Sequence, residues 1–241
     1  MSKKKILWLI TARSGSKSIP DKNIKLLGGY PLVGYRIRSA LDTKFTKDVW
    51  VSTDSEFYAE ISKEFGATIP FIRPDFLASD EASSMDVILH SMDFAIKNDL
   101  KYDYIGLLEP TSPFINSELL DEAITYLDSN KVASAIVATR ESRPNSVFVQ
   151  NDNVFLDDLA GNLKSLKKIG RQSFSKEITP SGGFYISKWN DFIKNRTFYS
   201  EKTLSFLVDD ISGLEIDEPL DWQFAEFIIE KQIFDIKKIF R

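Results

Sequence analysis

Three cations, one glycine and several small hydroxyl residues crowd the segment Thr11-Ala12-Arg13-Ser14-Gly15-Ser16-Lys17-Ser18-Ile19-Pro20-Asp21-Lys22-Asn23. Small residues let backbone N–H groups approach phosphate oxygens, and Arg13 and Lys17 supply positive charge. The G-x-x-x-x-G-K-[ST] spacing of a Walker loop is absent. A solvated basic turn is the plain alternative. Nearly two hundred residues downstream, Gly213-Leu214-Glu215-Ile216-Asp217-Glu218-Pro219 carries a second signal. In an extended segment Glu215 and Asp217, alternating around Ile216, point to one side, and paired hard oxygens suit Mg²⁺ bridging nucleotide phosphates. Here the plain alternative is an acidic helix start, since Glu218 and Asp221 also favour an N-terminus. The chain has no cysteine, which excludes disulfides, thiolate zinc sites and cysteine nucleophiles. Its one histidine, His90, falls inside a predicted helix and reads as structural.

The elements that must position these residues alternate. Lys5–Thr11, Asp48–Thr53, Tyr104–Leu108 and Ala135–Thr139 read as buried strands by length and β-branched content. Pro31–Thr43, Ser55–Phe65, Ser84–Asn98 and Asn116–Asn130 repeat apolar residues at helical spacing, with Pro31 at a helix start and Asn116 or Ser117 as a cap. Strand–helix alternation predicts an α/β chain with a mostly parallel, doubly wound, Rossmann-like sheet, whose ligands sit beyond the carboxyl ends of the strands. Residues 140–182 are polar, with turn signals at Pro144-Asn145, Asn151-Asp152-Asn153 and Pro180-Ser181-Gly182-Gly183, and read as an insertion covering the site or meeting a partner. Gly183–Ser187 and Thr203–Val208 read as returning strands, and Pro219–Lys231 as a closing helix.

With 241 residues, 43% of them apolar, the chain can form one sizeable domain spanning residues 1–241. Its net charge of −4 argues against non-specific nucleic-acid binding. The apolar run Ile6–Ile10 is too short for a signal peptide. No segment approaches the roughly 20 apolar residues of a membrane span. A cytoplasmic location without membrane or nucleic-acid partners is therefore expected.

Together these segments resemble the cytidylyltransferases that activate sialic acid and its relatives. Ala12, Arg13, Ser16, Lys17, Ile19, Pro20, Lys22 and Asn23 match that family's A-R-x-x-S-K-x-[IL]-P-x-K-N loop. Val51-Ser52-Thr53-Asp54 matches V-S-T-D, and residues Arg73 to Ser84 match R-P-x-x-L-A-S-D-x-A-S-S. Glu109-Pro110-Thr111-Ser112-Pro113 stands for Q-P-T-S-P and Glu215-Ile216-Asp217 for D-I-D, in the same order along the chain. The resemblance implies a nucleotide-diphospho-sugar transferase type of fold and a homodimer. By the same resemblance CTP and a small acceptor are the substrates and Mg²⁺ the cofactor. Arg13, Ser16, Lys22 and Asn23 would hold the nucleotide with Lys17, and Arg73 and Ser84 would lie near base and ribose. Glu109 and Thr111 would line the substrate site. Glu215 and Asp217 would hold the metal, and Lys17, Arg171 and Asp217 would be catalytic. The implied reaction is attack of an acceptor oxygen on the α-phosphorus of CTP with release of pyrophosphate.

The departures gather on the acceptor side. Glu109 replaces a glutamine, Ser146 a lysine and Thr179 an arginine, so two cations are lost and a carboxylate is gained. Arg140 and Arg143 are the nearby cations able to replace one of them. The expected acceptor is a nonulosonic acid of the sialic, legionaminic or pseudaminic type, destined for a surface glycan. The alternatives are the same CTP chemistry on a phosphorylated acceptor, giving a CDP product, and a nucleotide-binding module without catalysis.

Overall fold

The computed structural model describes residues 4–79, 81–142, 148–150, 156–158 and 177–240. β1 (Ile6–Thr11) lies inside the main sheet and is buried along almost its whole length. A short hairpin, β2 (Leu26–Leu27) and β3 (Tyr30–Pro31), turns through Gly28 and Gly29, whose φ values of 56° and 90° are those a tight two-residue loop requires. Then follow α1 (Leu32–Leu41), β4 (Thr46–Ser52), α2 (Glu56–Glu64), a 3₁₀ turn (Asp75–Leu77), α3 (Ser84–Lys97), β5 (Tyr104–Leu108) and α4 (Ser117–Ser129). The second half holds β6 (Ala135–Ser142), the small hairpin β7 (Phe148–Gln150) and β8 (Leu156–Asp158), and β9 (Glu177–Lys188). It continues with α5 (Trp189–Asn195), β10 (Thr203–Leu207) and α6 (Pro219–Glu230) and closes with a 3₁₀ turn (Ile236–Lys238).

The six-stranded sheet runs β10-β6-β9-β5-β1-β4, and every strand but β9 points the same way. The α/β, mostly parallel expectation holds. Alternation along β1 divides the core between the two faces of the sheet. Ile6, Trp8 and Ile10 pack with Val33 and Ile37 of α1 and Leu120 and Ile124 of α4. Leu7 and Leu9 pack on the other face with Ile88 and Met92 of α3 and Phe192 of α5. Trp8 lies over Gly106 of β5, where a Cβ would stand 2.3 Å from the indole ring. Its Nε1 donates to Thr46 Oγ1 at 3.0 Å, so the largest core side chain has its polar atom satisfied.

Helix starts follow the caps legible in the sequence. Asn116 accepts from Leu119 N at the start of α4, and Ser83 and Asp86 form a capping box at α3. Two expectations need correction. Pro180-Ser181-Gly182-Gly183 is no turn but lies within β9. Val137 pairs with Tyr185 and Thr139 with Pro180, so Ala138 alone faces Ser181, Gly182, Gly183 and Phe184 in a wide irregularity of the ladder. Turn-type residues serve here because the strand must bend past side chains of the 109–113 segment: a Cβ on Gly182 would stand 2.7 Å from Glu109 Oε2. Moreover, the ends of the expected 140–182 insertion belong to the sheet, since β6 runs to Ser142 and β9 starts at Glu177. Its turn signals at Pro144-Asn145 and Asn151-Asp152-Asn153 lie outside the described residues. The seven-residue α5 has no counterpart among the sequence-based helices.

Gly106→Ala is expected to lower the unfolding free energy by about 1–3 kcal/mol, because Trp8 has no room to retreat. Chemical denaturation followed by tryptophan fluorescence measures it; an unchanged midpoint would mean that this contact does not hold the two central strands.

Candidate active site

The 11–23 segment leaves the carboxyl end of β1 and is fastened at three points. Ala12 N continues the ladder to Ser52 O at 3.0 Å. Ser14 then donates from its N–H to Asp54 Oδ1 at 2.9 Å and from its hydroxyl to Asp54 Oδ2 at 2.5 Å. Burial works to raise the Asp54 carboxyl, but the Ser14 hydrogen bonds, with Arg73 nearby, hold it below its ordinary value. At the far end Asn23 Nδ2 donates to Arg13 O at 2.9 Å, closing the loop on itself, while Ile19 anchors it in the core with Leu27 and Trp222.

The acidic segment meets this loop from the opposite end of the chain. Lys22 Nζ donates to Ile216 O at 2.9 Å and to Asp217 Oδ1 at 3.2 Å, and Ser18 Oγ donates to Asp217 O at 2.5 Å. Ile216 N donates to Thr111 O at 2.8 Å, which attaches the segment to the stretch beyond β5. Ile216 itself is fully buried, and Glu215 and Asp217 on either side of it both line the same cavity. Asp221 Oδ2 fixes the turn into α6 by accepting from Asp217 N and Glu218 N. Glu215 in turn accepts from the N–H of Gly182, so the irregular part of β9 aims this carboxylate.

Between the two segments lies a cavity of about 530 Å³. Arg13, Ser16, Lys17, Lys22 and Asn23 form one wall, and Glu109, Thr111, Glu215 and Asp217 another. Arg73 and Ser84 lie on a third side, with Ser84 opening α3, whose N-terminal N–H groups favour anions. Arg73 is 4% exposed; its Nε donates to Ser52 Oγ at 3.0 Å and its Nη2 to Ser52 O, which pins it to the end of β4. Burial lowers its pKa to about 10, against the pull of Asp54. Among the described carboxyls Glu109 moves furthest. Burial, then Glu215 and Asp217, push it up to about 7, opposed by Arg36 and Lys22.

Every sequence-derived site residue within the described part of the chain thus lines this one cavity. Arg171 lies outside the described residues, as does Ser146. Thr179 has Arg140 as its partner across the β6–β9 ladder, so a cation does stand beside the position where the family pattern has arginine. Lys22 and Asn23 have a second task not visible in the sequence, since their nitrogens already tie the two walls together and close the loop. Sequence reasoning missed two residues. Asp54 was within a matched motif, and its spacing from the loop carried no hint that it holds Ser14. Arg36, in α1, carries no local signal in the sequence and is fully buried.

The folded-state pKa of Glu109 lies above its ordinary 4.5, so its contribution to stability is complete at low pH and is lost as pH rises toward about 7. Unfolding free energy measured without divalent cations is expected to fall across that window by an increment that Glu109→Gln removes. A Glu109→Gln protein that keeps the whole slope would assign the ionisation elsewhere.

The comparisons with known proteins agree with this geometry. A family model described as cytidylyltransferase matches residues 7–202. The N-acylneuraminate cytidylyltransferase of Escherichia coli is 33% identical over 233 residues, covering 95% of this chain and 53% of that protein. The CMP-N,N'-diacetyllegionaminic acid synthase of Legionella pneumophila is 31% identical over 235 residues, covering 94% and 97%. The chain therefore spans about half the length of the first relative and nearly all of the second. Among solved structures, a CMP:2-keto-3-deoxy-manno-octonic acid synthetase complexed with CTP has a TM-score of 0.69 at 15% identity, covering 95% of this chain and 100% of that one, which shows the fold. With the matched model spanning most of its length and the loop motifs gathered round one cavity, this chain belongs to the cytidylyltransferase family.

Proposed function

We propose that this protein transfers CMP from CTP to a hydroxyl of a nonulosonic acid of the sialic, legionaminic or pseudaminic type and releases pyrophosphate. The observation that carries this is the facing of two walls across one cavity: the cationic 11–23 loop on one side, Glu215 and Asp217 on the other. A nucleoside triphosphate needs both, cations against its phosphates and carboxylates for the metal that accompanies them. Relatives named for N-acylneuraminate, legionaminic acid and pseudaminic acid support the acceptor class.

The residues present fit Mg²⁺. Its usual set is one or two carboxylates completed by water and substrate phosphates, and Asp217 offers a side chain 64% exposed with Glu215 next to it. Glu215 and Asp217 would hold the ion, which when bound neutralises phosphate charge. Arg13, Lys17 and the backbone of the loop bind and orient the triphosphate, Lys22 keeps the loop at a fixed distance from Asp217, and Arg73 and Ser84 bound the nucleoside side. The acceptor oxygen forms a bond to the α-phosphorus as the bond from that phosphorus to the pyrophosphate oxygen breaks. The hydroxyl proton passes to the wall of Glu109, Glu215 and Asp217. Positioning and charge neutralisation supply most of the rate enhancement.

The same reading places the protein in the cytoplasm as a homodimer supplying surface glycan synthesis. Among the described residues no helix is long and apolar enough to cross a membrane.

Pyrophosphate release with CTP and Mg²⁺ against a panel of nonulosonic acids and phosphorylated amines is the direct test. Release with a nonulosonic acid is expected; release only with a phosphorylated acceptor would move the chemistry to a CDP product. Asp217→Ala is expected to lower kcat/KM by about 100-fold or more, and Glu215→Ala by less, because Asp217 is the more exposed of the two to the cavity. Near-normal turnover of Asp217→Ala at limiting Mg²⁺ would remove the metal assignment.

A further inference from the structure

The peptide that joins Arg13 to Ser14 is held by side chains at both of its polar ends. Asn23 Nδ2 donates to Arg13 O at 2.9 Å, and Ser14 N donates to Asp54 Oδ1 at 2.9 Å. The Ser14 hydroxyl adds a second bond to the same carboxylate, reaching Oδ2 at 2.5 Å. Ser14 O in turn accepts from Ser16 N at 3.0 Å, so the orientation of this one peptide passes on along the loop. Arg13 and Ser16 both line the cavity, and Ser14 between them is turned toward Asp54. Among the described residues no heavy atom lies within 4 Å of the point where a Cβ of Gly15 would stand, so packing does not set the shape of the loop there. Hydrogen bonds do.

Asp54 follows β4 directly, and the end of that strand also fixes the nucleoside side. Ser52 O accepts from Ala12 N at 3.0 Å and from Arg73 Nη2, while Ser52 Oγ accepts from Arg73 Nε at 3.0 Å. Thr53 O accepts from Arg73 N at 2.8 Å. Three consecutive residues, Ser52, Thr53 and Asp54, therefore hold both the cationic loop and the arginine opposite it. They lead straight into α2, which Ser55 caps and whose Tyr58 hydroxyl donates to Asp21 Oδ1, further along the loop, at 2.9 Å. Burial works to raise the Asp54 carboxyl, yet the bonds from Ser14 hold it below its ordinary value, so both of those bonds end on a charged acceptor.

We propose that Asp54 is the positioning residue of the triphosphate loop: by holding both donors of Ser14 it fixes the Arg13–Ser14 peptide, and so sets where Arg13, Ser16 and Lys17 stand relative to Arg73. This rests on the CTP reading above. Asp54 acts through Ser14 and not by touching the nucleotide. A loop free to sample several shapes loses that freedom when a ligand binds, so an anchor behind the cavity raises affinity without adding a contact. The benefit falls on CTP, because Glu109 and Thr111, on the opposite wall, are carried by the segment after β5.

The test titrates CTP with Mg²⁺, in a calorimeter and without acceptor, into wild type, Asp54→Ala, Asp54→Asn, Ser14→Ala and the double alanine variant. Asp54→Ala is expected to raise the Kd for CTP by about tenfold or more, and Ser14→Ala, which keeps its N–H, by about threefold. Asp54→Asn keeps the shape of the anchor, since its oxygen accepts from the Ser14 N–H and its amide donates to the Ser14 hydroxyl, and stays within about threefold of wild type. In the Asp54→Ala background Ser14→Ala is expected to add nothing. In steady state, with an N-acylneuraminate as probe, Asp54→Ala leaves the acceptor KM within about twofold. Additive effects of the two alanines, or an asparagine as weak as the alanine, would overturn the anchor. Equal changes in both KM values, or a lowered Tm with an unchanged Kd, would make Asp54 a structural residue only. If Asp54→Ala does not fold, Ser14→Ala decides: the expected loss of affinity supports the anchor and an unchanged Kd overturns it. A wild type that binds no CTP would remove the positioning role together with the reading of the cavity. Hydrogen exchange at the Ser14 amide, which needs no nucleotide, separates the two failures: it is expected to quicken in Asp54→Ala and not in Asp54→Asn, and an unchanged rate in both overturns the anchor by itself.

Discussion

Ile216 has its N–H on the carbonyl of Thr111 and its carbonyl on the ammonium of Lys22, with its side chain fully buried between them. Those contacts join three parts of the chain that lie far apart in sequence: the loop after β1, the segment after β5 and the approach to α6. The cavity exists because of that junction. The backbone polar groups of an irregular segment must find partners once buried, and here each partner belongs to a different wall. The buried Ile216 fixes the register, so that its two neighbours turn their carboxylates outward together.

Around this junction the charges are arranged in opposition. The cationic loop and the carboxylate wall face one another, and each side carries a cost that the fold manages locally. On the cationic side Asp54 takes two hydrogen bonds from Ser14 and lies near Arg73. On the acidic side Lys22 bonds to Asp217, and the Gly182 N–H to Glu215. Glu109 is buried beside Glu215 and Asp217, and its ionisation is displaced upward accordingly. The site is thus held open and charged by neighbours that sit outside the cavity or at its edge.

The irregular stretch of β9 belongs to the same design. Its glycines bring backbone so near to Glu109, Ser112 and Ile115 that a Cβ there would push these neighbours aside. In return the strand delivers an N–H to Glu215 and a carbonyl to Arg36. A regular strand would have paired those groups with β6 and left both side chains unsupported.

The sequence by itself determined the alternation of strands and helices, because a buried parallel sheet demands short apolar runs between amphipathic helices. It also carried the loop after β1 and the Glu215-Ile216-Asp217 alternation, since the chemistry of both lies in residue types a few positions apart. Asp54, Arg36 and the double duty of Lys22 and Asn23 were not legible there. Pro180-Ser181-Gly182-Gly183 reads as a turn because local propensity favours one, yet the need to pass close to Glu109 keeps it in a strand. The burial of Arg36 leaves no local signal, because helical spacing does not say which face a neighbouring element will cover. Local pattern records what each segment can do. Which distant carbonyl or carboxylate meets it is decided only when the whole sheet closes, because hydrogen bonds and charges act through space and not along the chain.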